Sequence, residues 1–297
     1  MRRSLPLTVV SVLLIAGCGR GEDATDAPPD QRPEIEAIEC DGSPIEREIP
    51  SVEPPATLPT ELVTTDIRSG SGHPAQSGDT LFADYIGIRS SDGLVFDSSY
   101  SRDAPANFAL GQGRVIAGWD QGLVGVQTGT VRRLDIPSSL AYGDTPPEGL
   151  LEPGDALTFL VEVRAVVPET TAADAPLDLE VTASTGATEV ITEDLLSGEG
   201  QIARLGDTAI IHALLVRGDN LVVLLDTWER NGPLEIDLDP ESGAIPGFVQ
   251  GLQCVAVGTR RVLTIPPEWA FGPDGEPSLG LPAGTDLIVI VDVVGVF

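Results

Sequence analysis

The sequence contains no lysine: all 17 of its basic residues are arginines. This excludes Schiff-base lysine chemistry, a pyridoxal-phosphate lysine and the lysine of a phosphate-binding P-loop. Only two histidines are present, His73 and His212, so a three-histidine zinc site is also excluded. The 46 acidic residues give a formal net charge of −29, which argues against a nucleic-acid partner because phosphate binding needs a basic face. We therefore predict a protein that needs no metal and no cofactor.

The remaining composition is that of a folded, turn-rich protein. The chain has 297 residues, 41% of them hydrophobic, with 33 glycines and 25 prolines. At roughly 100–150 residues per domain, this length allows two domains and a tail.

The start of the chain, from Met1 to Cys18, has the pattern of an export signal. Met1–Arg3 carries positive charge, and Leu5–Ala16 is apolar but too short to span a bilayer. The small residues before Cys18 resemble the bacterial lipobox, in which cleavage leaves a lipidated cysteine at the N-terminus. We expect a chain exported and lipid-anchored to the outer face of the bacterial cell membrane, with no other membrane contact; an ordinary cleaved signal with an incidental Cys18 is the alternative.

An acidic, proline-rich stretch follows the signal. Residues 19–59 contain 11 acidic residues, three arginines and eight prolines. Such a composition cannot bury enough apolar surface to offset the entropy of ordering, so residues 18–49 are predicted to form a disordered tether. An exported chain keeps disulfides, and the two remaining cysteines, Cys40 and Cys254, form either a bridge between the tether and the C-terminal domain or two free thiols.

The rest of the chain is a tandem duplication. Thr60–Thr64 (TELVT) recurs as Thr188–Thr192 (TEVIT), and Leu157–Val161 (LTFLV) recurs as Leu287–Val291 (LIVIV). The distance between matching positions grows slightly from the first pair to the second, as small loop insertions produce. One period is a whole domain, which is too long for a solenoid unit.

Each copy has the pattern of several strands and one helix. Short β-branched and apolar runs at 81–88, 131–136 and 157–167 predict strands, with a Ser-Ser-Asp-Gly turn at 90–93. Ile116, Trp119, Leu123 and Val126 have helical spacing and predict a helix near 116–126. The fold class is therefore predicted to be α+β.

Five short motifs in the first copy occur in the order of a known family. They are DGLVFDSS (92–99), VIAGW (115–119), IP (136–137), AYG (141–143) and LTF (157–159). In this respect residues 59–167 resemble the FKBP peptidyl-prolyl cis-trans isomerases. The resemblance implies two FKBP-like domains, each a curved antiparallel β-sheet wrapped over one short α-helix, with an apolar pocket between sheet and helix.

The resemblance also implies the residues of that pocket. The positions expected to act in catalysis are Tyr85, Phe96, Asp97, Trp119, Tyr142 and Phe159. The positions expected to bind the substrate are Arg102, Phe108, Val115, Ile116, Leu150 and Leu151. Two positions depart from the family pattern: Ala106 replaces a common aromatic and predicts a shallower wall, and Pro147 lies in the loop before Leu150.

Such a pocket needs no proton transfer and no nucleophile. Rotation about an X–Pro bond is opposed by amide resonance, with a barrier of about 18–20 kcal/mol. A dry, shaped cavity that binds the twisted amide better than either planar isomer lowers this barrier. By resemblance, the ligands are proline-containing segments of exported proteins, and a macrolide fits the same pocket.

The second copy lacks several of these groups. Taking an offset of 128 to 130, we expect its equivalents of Tyr85, Phe96, Asp97, Trp119, Tyr142 and Phe159 to be Ala213, Leu225, Asp226, Phe248, Phe271 and Val289. The fold is expected to survive and the activity to be weak or absent.

The sequence thus predicts five segments: a signal peptide (1–17), the tether (18–49), an FKBP-like catalytic domain (50–168), a linker (169–175) and a degenerate FKBP-like domain (176–297). The first hypothesis is a peptidyl-prolyl isomerase that acts on exported proteins. The second is a non-catalytic, chaperone-like lipoprotein that uses both pockets only for binding peptides.

Overall fold

A computed structural model describes residues 33–40, 49–102, 104–177, 181–230 and 232–297. The predicted signal peptide and Cys18 lie outside these residues. Within the described residues, no helix is long and apolar enough to cross a membrane.

The first copy forms one six-stranded antiparallel sheet. Its strands are β1 (Val63–Arg68), β2 (Thr80–Arg89), β3 (Val95–Ser98), β4 (Ala106–Ala109), β5 (Val131–Ile136) and β6 (Leu157–Val167). The order is β1-β5-β6-β2-β3, and β4 also pairs with β2. Helix α1 (Ala117–Gly122) packs against β5. It is shorter than predicted because Leu123 leaves the helical conformation and Gly125 has a positive φ.

The second copy repeats this topology strand by strand. Its strands are β7 (Ile191–Leu196), β8 (Thr208–Arg217), β9 (Val223–Asp226), β10 (Leu234–Asp237), β11 (Arg260–Ile265) and β12 (Leu287–Val296), and its helix is α2 (Pro246–Gly251). The order β10-β8-β12-β11-β7, with β9 also on β8, is that of the first sheet. The predicted α+β class is confirmed. In the described ranges, short 3₁₀ helices at 99–101, 138–140, 172–174 and 267–269 connect the strands.

Each domain has its core between the sheet and its helix. In the first, inward-facing side chains of β2, β5 and β6, such as Leu81, Leu134 and Val161, pack against Trp119 and Leu123. A corresponding cluster fills the second domain. The helix lies on one face of the sheet. Successive side chains of a strand therefore alternate between this face, where the pocket residues lie, and the outer face.

The outer faces of the two sheets pack against each other. Phe82 stacks on Phe297 with ring centroids 6.2 Å apart, and Ala165 approaches Gly295 so closely that a Cβ added to Gly295 would lie 2.4 Å from that of Ala165. Ala165 and Gly295 hold equivalent positions in the two copies. An interface in which equivalent residues meet is that of a two-fold dimer, here within one chain.

Two segments that were predicted to bury little make contacts. Residues 33–40 of the predicted tether lie against the second domain: Ile35 packs on its core, and Cys40 forms a disulfide with Cys254. In the predicted linker, Ala175 packs on the outer face of the second sheet, and Thr170 Oγ1 donates to the carbonyl of Trp228. The composition of each segment did not indicate these contacts, because the surface of the second domain that it contacts lies far away in the sequence.

Candidate functional site

Five aromatic side chains converge between the first sheet and α1. Trp119 is at the centre, with its ring centroid 5.1 Å from that of Tyr85, 5.2 Å from Phe159 and 5.3 Å from Phe108. Phe96 meets Phe159 edge-on at 5.6 Å. The edge-to-face and tilted geometries are those that aromatic quadrupoles prefer. The indole Nε1 of Trp119 is buried and has no hydrogen-bond partner among the described residues.

A glycine in β2 provides the room for two of these rings. A Cβ built on Gly87 would lie 2.6 Å from Cε1 of Phe159 and 2.9 Å from Cζ of Phe96, closer than side-chain carbons approach. Gly87 is not among the residues that the sequence motifs predict for the site. A glycine inside an apolar strand often marks a close approach of another group, and this was the available signal.

A polar triangle closes one side of the aromatic cluster. The Tyr85 hydroxyl donates to Asp97 Oδ2 at 2.5 Å, and Arg102 donates from Nη1 to Asp97 Oδ1 and from Nη2 to Tyr85 Oη, both at 2.6 Å. Burial raises the pKa of Asp97, but the hydrogen bonds from Tyr85 and Arg102 outweigh it and hold the pKa below its usual value. Burial and the bond to Asp97 raise the pKa of Tyr85 to about 12. The triangle is therefore a neutral phenol, a carboxylate and a guanidinium at physiological pH.

The loop before α1 forms the next part of the rim. Val115 and Ile116 are half-buried and pack on the edge of the core. The Asp120 carboxylate accepts the N–H groups of Gly111 and Gly113, each at 2.8 Å, and so fixes this loop on the helix. Ile116 is the N-cap residue, and its N–H has no partner among the described residues. It is available to a bound carbonyl.

Tyr142 follows β5 and the 3₁₀ helix at 138–140. Its side chain is partly exposed, and its hydroxyl makes no hydrogen bond within the part of the chain that the structure describes. Burial, and secondarily the charge of Asp97, raise its pKa, so the hydroxyl remains a donor.

The 145–156 loop closes the rim. Leu151 is buried in the core, whereas Leu150 is 53% exposed. The Leu150 carbonyl accepts a hydrogen bond from Arg89 Nη1 at 3.2 Å, which ties the loop to the end of β2. Eight of the twelve side chains predicted for the site belong to one cluster or pack against it, and Asp97 and Arg102 join it through Tyr85. The remaining two, Tyr142 and Leu150, are exposed hydrophobic side chains. Ala106 packs at the edge of the core on β4.

Strand register corrects two equivalences in the second copy. In the first copy Gly87 pairs with Asp97; in the second, Leu215 takes the place of Gly87 and pairs with Leu225. Leu225 therefore occupies the position of Asp97, and not that of Phe96. The two hairpins have the same length, and the extra residue that raises the offset from 128 to 129 comes later, between β10 and α2.

The prediction that the second copy keeps the aspartate is accordingly wrong. Asp226 occupies the position of Ser98, and its Oδ1 accepts the N–H groups of Trp228 and Glu229 in a local turn. Leu224 occupies the position of Phe96. The second copy therefore has no carboxylate at the position of Asp97 and no phenol at the positions of Tyr85 and Tyr142.

Larger aliphatic side chains fill the space that the first copy leaves to the pocket. Leu215 is fully buried in place of Gly87, and Leu225 is buried in place of Asp97. Val289 replaces Phe159, which makes the room that the leucine at 215 needs. The second domain thus keeps a packed core where the first has an aromatic pocket and a polar triangle.

Comparison with known proteins agrees with this geometry. The sequence model of the family "FKBP-type peptidyl-prolyl cis-trans isomerase" matches residues 72–164 and 200–294. A Streptomyces anulatus "FK506-binding protein" is 43% identical over 122 residues, which cover 41% of this chain and 95% of that protein.

A second relative is similar over both domains. The bovine "Peptidyl-prolyl cis-trans isomerase FKBP10" is 33% identical over 236 residues, 79% of this chain, although the chain spans only 37% of that protein. The solved structure of FkpA from Escherichia coli has 36% identity and a TM-score of 0.33, with 36% of this chain and 48% of that chain covered. With the family matched twice, over more than half of its length, the chain belongs to the FKBP-type peptidyl-prolyl cis-trans isomerases.

Proposed function

We propose that the first domain isomerises X–Pro bonds in exported proteins and that the second domain contributes little or no catalysis. The observation that supports the proposal is that the first copy combines the aromatic cluster, the Tyr85–Asp97–Arg102 triangle and two donors, at Ile116 and Tyr142, that have no partner among the described residues. The second copy lacks the triangle.

The aromatic walls would favour the twisted amide. At the top of the barrier the amide is no longer conjugated, so its carbonyl is less polar and needs less solvation. Trp119, Phe96 and Phe159 form a dry surface for the proline ring, and such a surface disfavours the more dipolar planar amide. No group in the pocket is required to transfer a proton.

The donors at the rim would orient the peptide. The Ile116 N–H and the Tyr142 hydroxyl lack partners among the described residues and can bind carbonyl oxygens of the chain around the proline. The Asp97 carboxylate, held by Tyr85 and Arg102, would lie next to the carbonyl that rotates. Its charge is fixed by these partners over the physiological pH range, so we propose that it acts through its field and not as an acid or base.

Removing the rim donor and the carboxylate together tests this assignment. The variant Asp97→Leu with Tyr142→Phe gives the first domain the residues that the second copy has at both positions. We expect kcat/KM for a proline peptide to fall at least about a hundredfold, since loss of a single preorganised donor already costs ~10²-fold in other enzymes. A protease-coupled proline-peptide assay measures this on the chain that begins at residue 19.

The control is a carboxylate of the second domain that lies outside the first domain's site. Asp226→Leu removes a carboxylate from a local turn of the second copy, and we expect it to leave kcat/KM unchanged.

A macrolide of the FK506 type is proposed to compete for the first pocket and to inhibit the parent chain. Parent protein that does not exceed the uncatalysed rate would contradict the isomerase assignment and favour the binding-only alternative.

We also propose that the chain is exported and held on the outer face of the bacterial membrane by a lipid on Cys18. The support is the order of the segment from Met1 to Cys18: a charged start, an apolar stretch and small residues before a cysteine. Metabolic labelling with palmitate in a bacterial host is expected to mark the parent protein but not the Cys18→Ser variant. Unlabelled parent protein would refute the anchor.

A further inference from the structure

A buried ion pair lies directly behind the pocket. Asp84 is 1% exposed and Arg164 is 6% exposed, and Arg164 Nε donates to Asp84 Oδ2 at 2.7 Å. Asp84 adjoins Tyr85 in β2, so its side chain points to the outer face of the sheet while that of Tyr85 points into the pocket. Arg164 occupies a β-bulge in β6, a feature that re-aims a side chain.

The ion pair is linked to the triangle through Ser99. Ser99 Oγ donates to Asp84 Oδ1 at 2.8 Å and accepts the backbone N–H of Tyr85 at 2.9 Å. The Ser99 carbonyl in turn accepts the N–H of Arg102 at 2.9 Å. Ser99 follows the strand that carries Asp97. One buried serine therefore joins Tyr85 in β2 to the turn that carries Arg102, and this turn begins two residues after Asp97.

The arginine side of the pair is also held. Arg164 Nη2 lies 3.1 Å from Glu162 Oε2, and Glu162 Oε1 accepts from Arg68 at 2.7 Å. Two carboxylates and two guanidiniums thus alternate along Asp84, Arg164, Glu162 and Arg68. A buried ion pair is weak evidence for stability, because desolvation offsets most of its attraction, and its retention calls for another role.

The second copy keeps the bond between a side-chain hydroxyl and the backbone of the strand, here called the hydroxyl anchor, but it has no ion pair at this place. Thr227 Oγ1 accepts the N–H of Ala213 at 2.8 Å, as Ser99 does for Tyr85. There His212 replaces Asp84, with its Nδ1 3.1 Å from Thr227 Oγ1, and Val294 replaces Arg164 at the same bulge, so the hydroxyl keeps a partner but the ion pair is absent. The hydroxyl anchor therefore belongs to the fold, whereas the ion pair is present only in the copy that has the triangle.

We infer that Asp84, paired with Arg164, is a positioning residue that aligns Arg102 and Asp97 with Tyr85 through Ser99. The inference rests on the proposed isomerase function of the first domain. Asp84 touches no substrate in this arrangement. Its carboxylate orients the Ser99 hydroxyl, and Ser99 fixes the start of the turn on which Arg102 lies.

The test removes the pair together with its bond to Ser99. The variant Asp84→Leu with Arg164→Val leaves no unpaired buried charge and, unlike His212 beside Thr227 in the second copy, no group that can bond the hydroxyl. We expect one cooperative unfolding transition near that of the parent chain and a roughly tenfold lower kcat/KM, through kcat, since misplacement by ~1 Å can cost as much as ~10²-fold. As a control, Asp66→Asn removes the surface pair between Asp66 and Arg132 and is expected to leave kcat/KM unchanged.

A double-mutant cycle separates positioning from general support. If Asp84 acts through Arg102, then Arg102→Ala lowers kcat/KM less in the double variant than in the parent chain. Ser99→Ala, which buries no charge, is expected to reproduce the kcat defect. Additive effects in the cycle, or full activity of the folded double variant, would overturn the positioning role. An inactive parent chain would instead overturn the proposed function.

Discussion

Replacing Gly87 by leucine is expected to lower the isomerase kcat/KM of the first domain by more than about a hundredfold. The new side chain would start at a Cβ 2.6 Å from Phe159 and 2.9 Å from Phe96, so at least one of the two rings must move. Because both rings form the pocket wall, the leucine fills the space where the proline ring is proposed to bind. Loss of a shaped, dry wall removes the proposed preference for the twisted amide.

The second copy supplies the control for this substitution. Gly87→Leu alone overpacks the core, and we expect it to cost about 1–3 kcal/mol of unfolding free energy. Adding Phe159→Val reproduces the pairing of Leu215 with Val289 and is expected to restore most of that stability without restoring activity. Urea unfolding and the proline-peptide assay on the three proteins measure both effects. A Gly87→Leu chain with parental kcat/KM would contradict the location of the pocket.

The sequence motifs predicted some residues of the candidate pocket and missed others. The motifs around Phe96, Trp119 and Tyr142 predicted the fold and the site because they keep a fixed spacing within one domain. The motifs do not point to Gly87, because its importance depends on the side chains that approach it. One of these side chains is Phe159, which is on β6 at the far end of the domain's sequence. Pattern matching within a domain finds the residues that line a pocket and misses those that leave room for it.

The error at Asp226 has a different origin. An acidic residue one position beyond the true equivalent agrees with an offset of 129, and sequence alone does not say where the extra residue enters. Pairing in the hairpin decides the question, since a shift of one residue moves a side chain to the other face of the sheet. Leu225 faces the core, as its burial requires, and Asp226 does not.

Long-range contacts were the other class that local sequence did not predict. The outer face of β2 has Phe82 where a solvated sheet would have a polar residue, and this was a signal that another surface covers it. The covering surface is the second copy. Its filled core and its two-fold packing on the first domain favour a structural partner over a second binding pocket.

Loss of the Cys40–Cys254 disulfide is expected to destabilise the second domain by roughly 2–4 kcal/mol. The bridge spans 214 residues of sequence, so it restricts a very long loop in the unfolded chain. It also fastens residues 33–40, where the Ile38 N–H donates to Gln253 Oε1 and Gln253 Nε2 donates to the Glu36 carbonyl. Urea unfolding of the Cys40→Ser variant, followed by the fluorescence of Trp228 and Trp269, measures the loss.

The backbone conformation of Cys254 leads to a further prediction. Its φ is +58°, in the left-handed region that is unfavourable for residues with a Cβ, and the first copy has Gly125 at the equivalent position with a φ of +80°. Adding Cys254→Gly to Cys40→Ser is therefore expected to return about 1 kcal/mol by removing the strain.

The unfolding free energy is therefore expected to be highest for the parent chain, lower for Cys40→Ser with Cys254→Gly, and lowest for Cys40→Ser alone. All three are expected to share one kcat/KM, because the disulfide lies in the other domain from the pocket. Oxidised and reduced parent chains with the same unfolding curve would contradict the stabilising role of the bridge. A double variant no more stable than Cys40→Ser would show that the left-handed cysteine is not strained, and that residues 33–40 were fastened at no cost to the backbone.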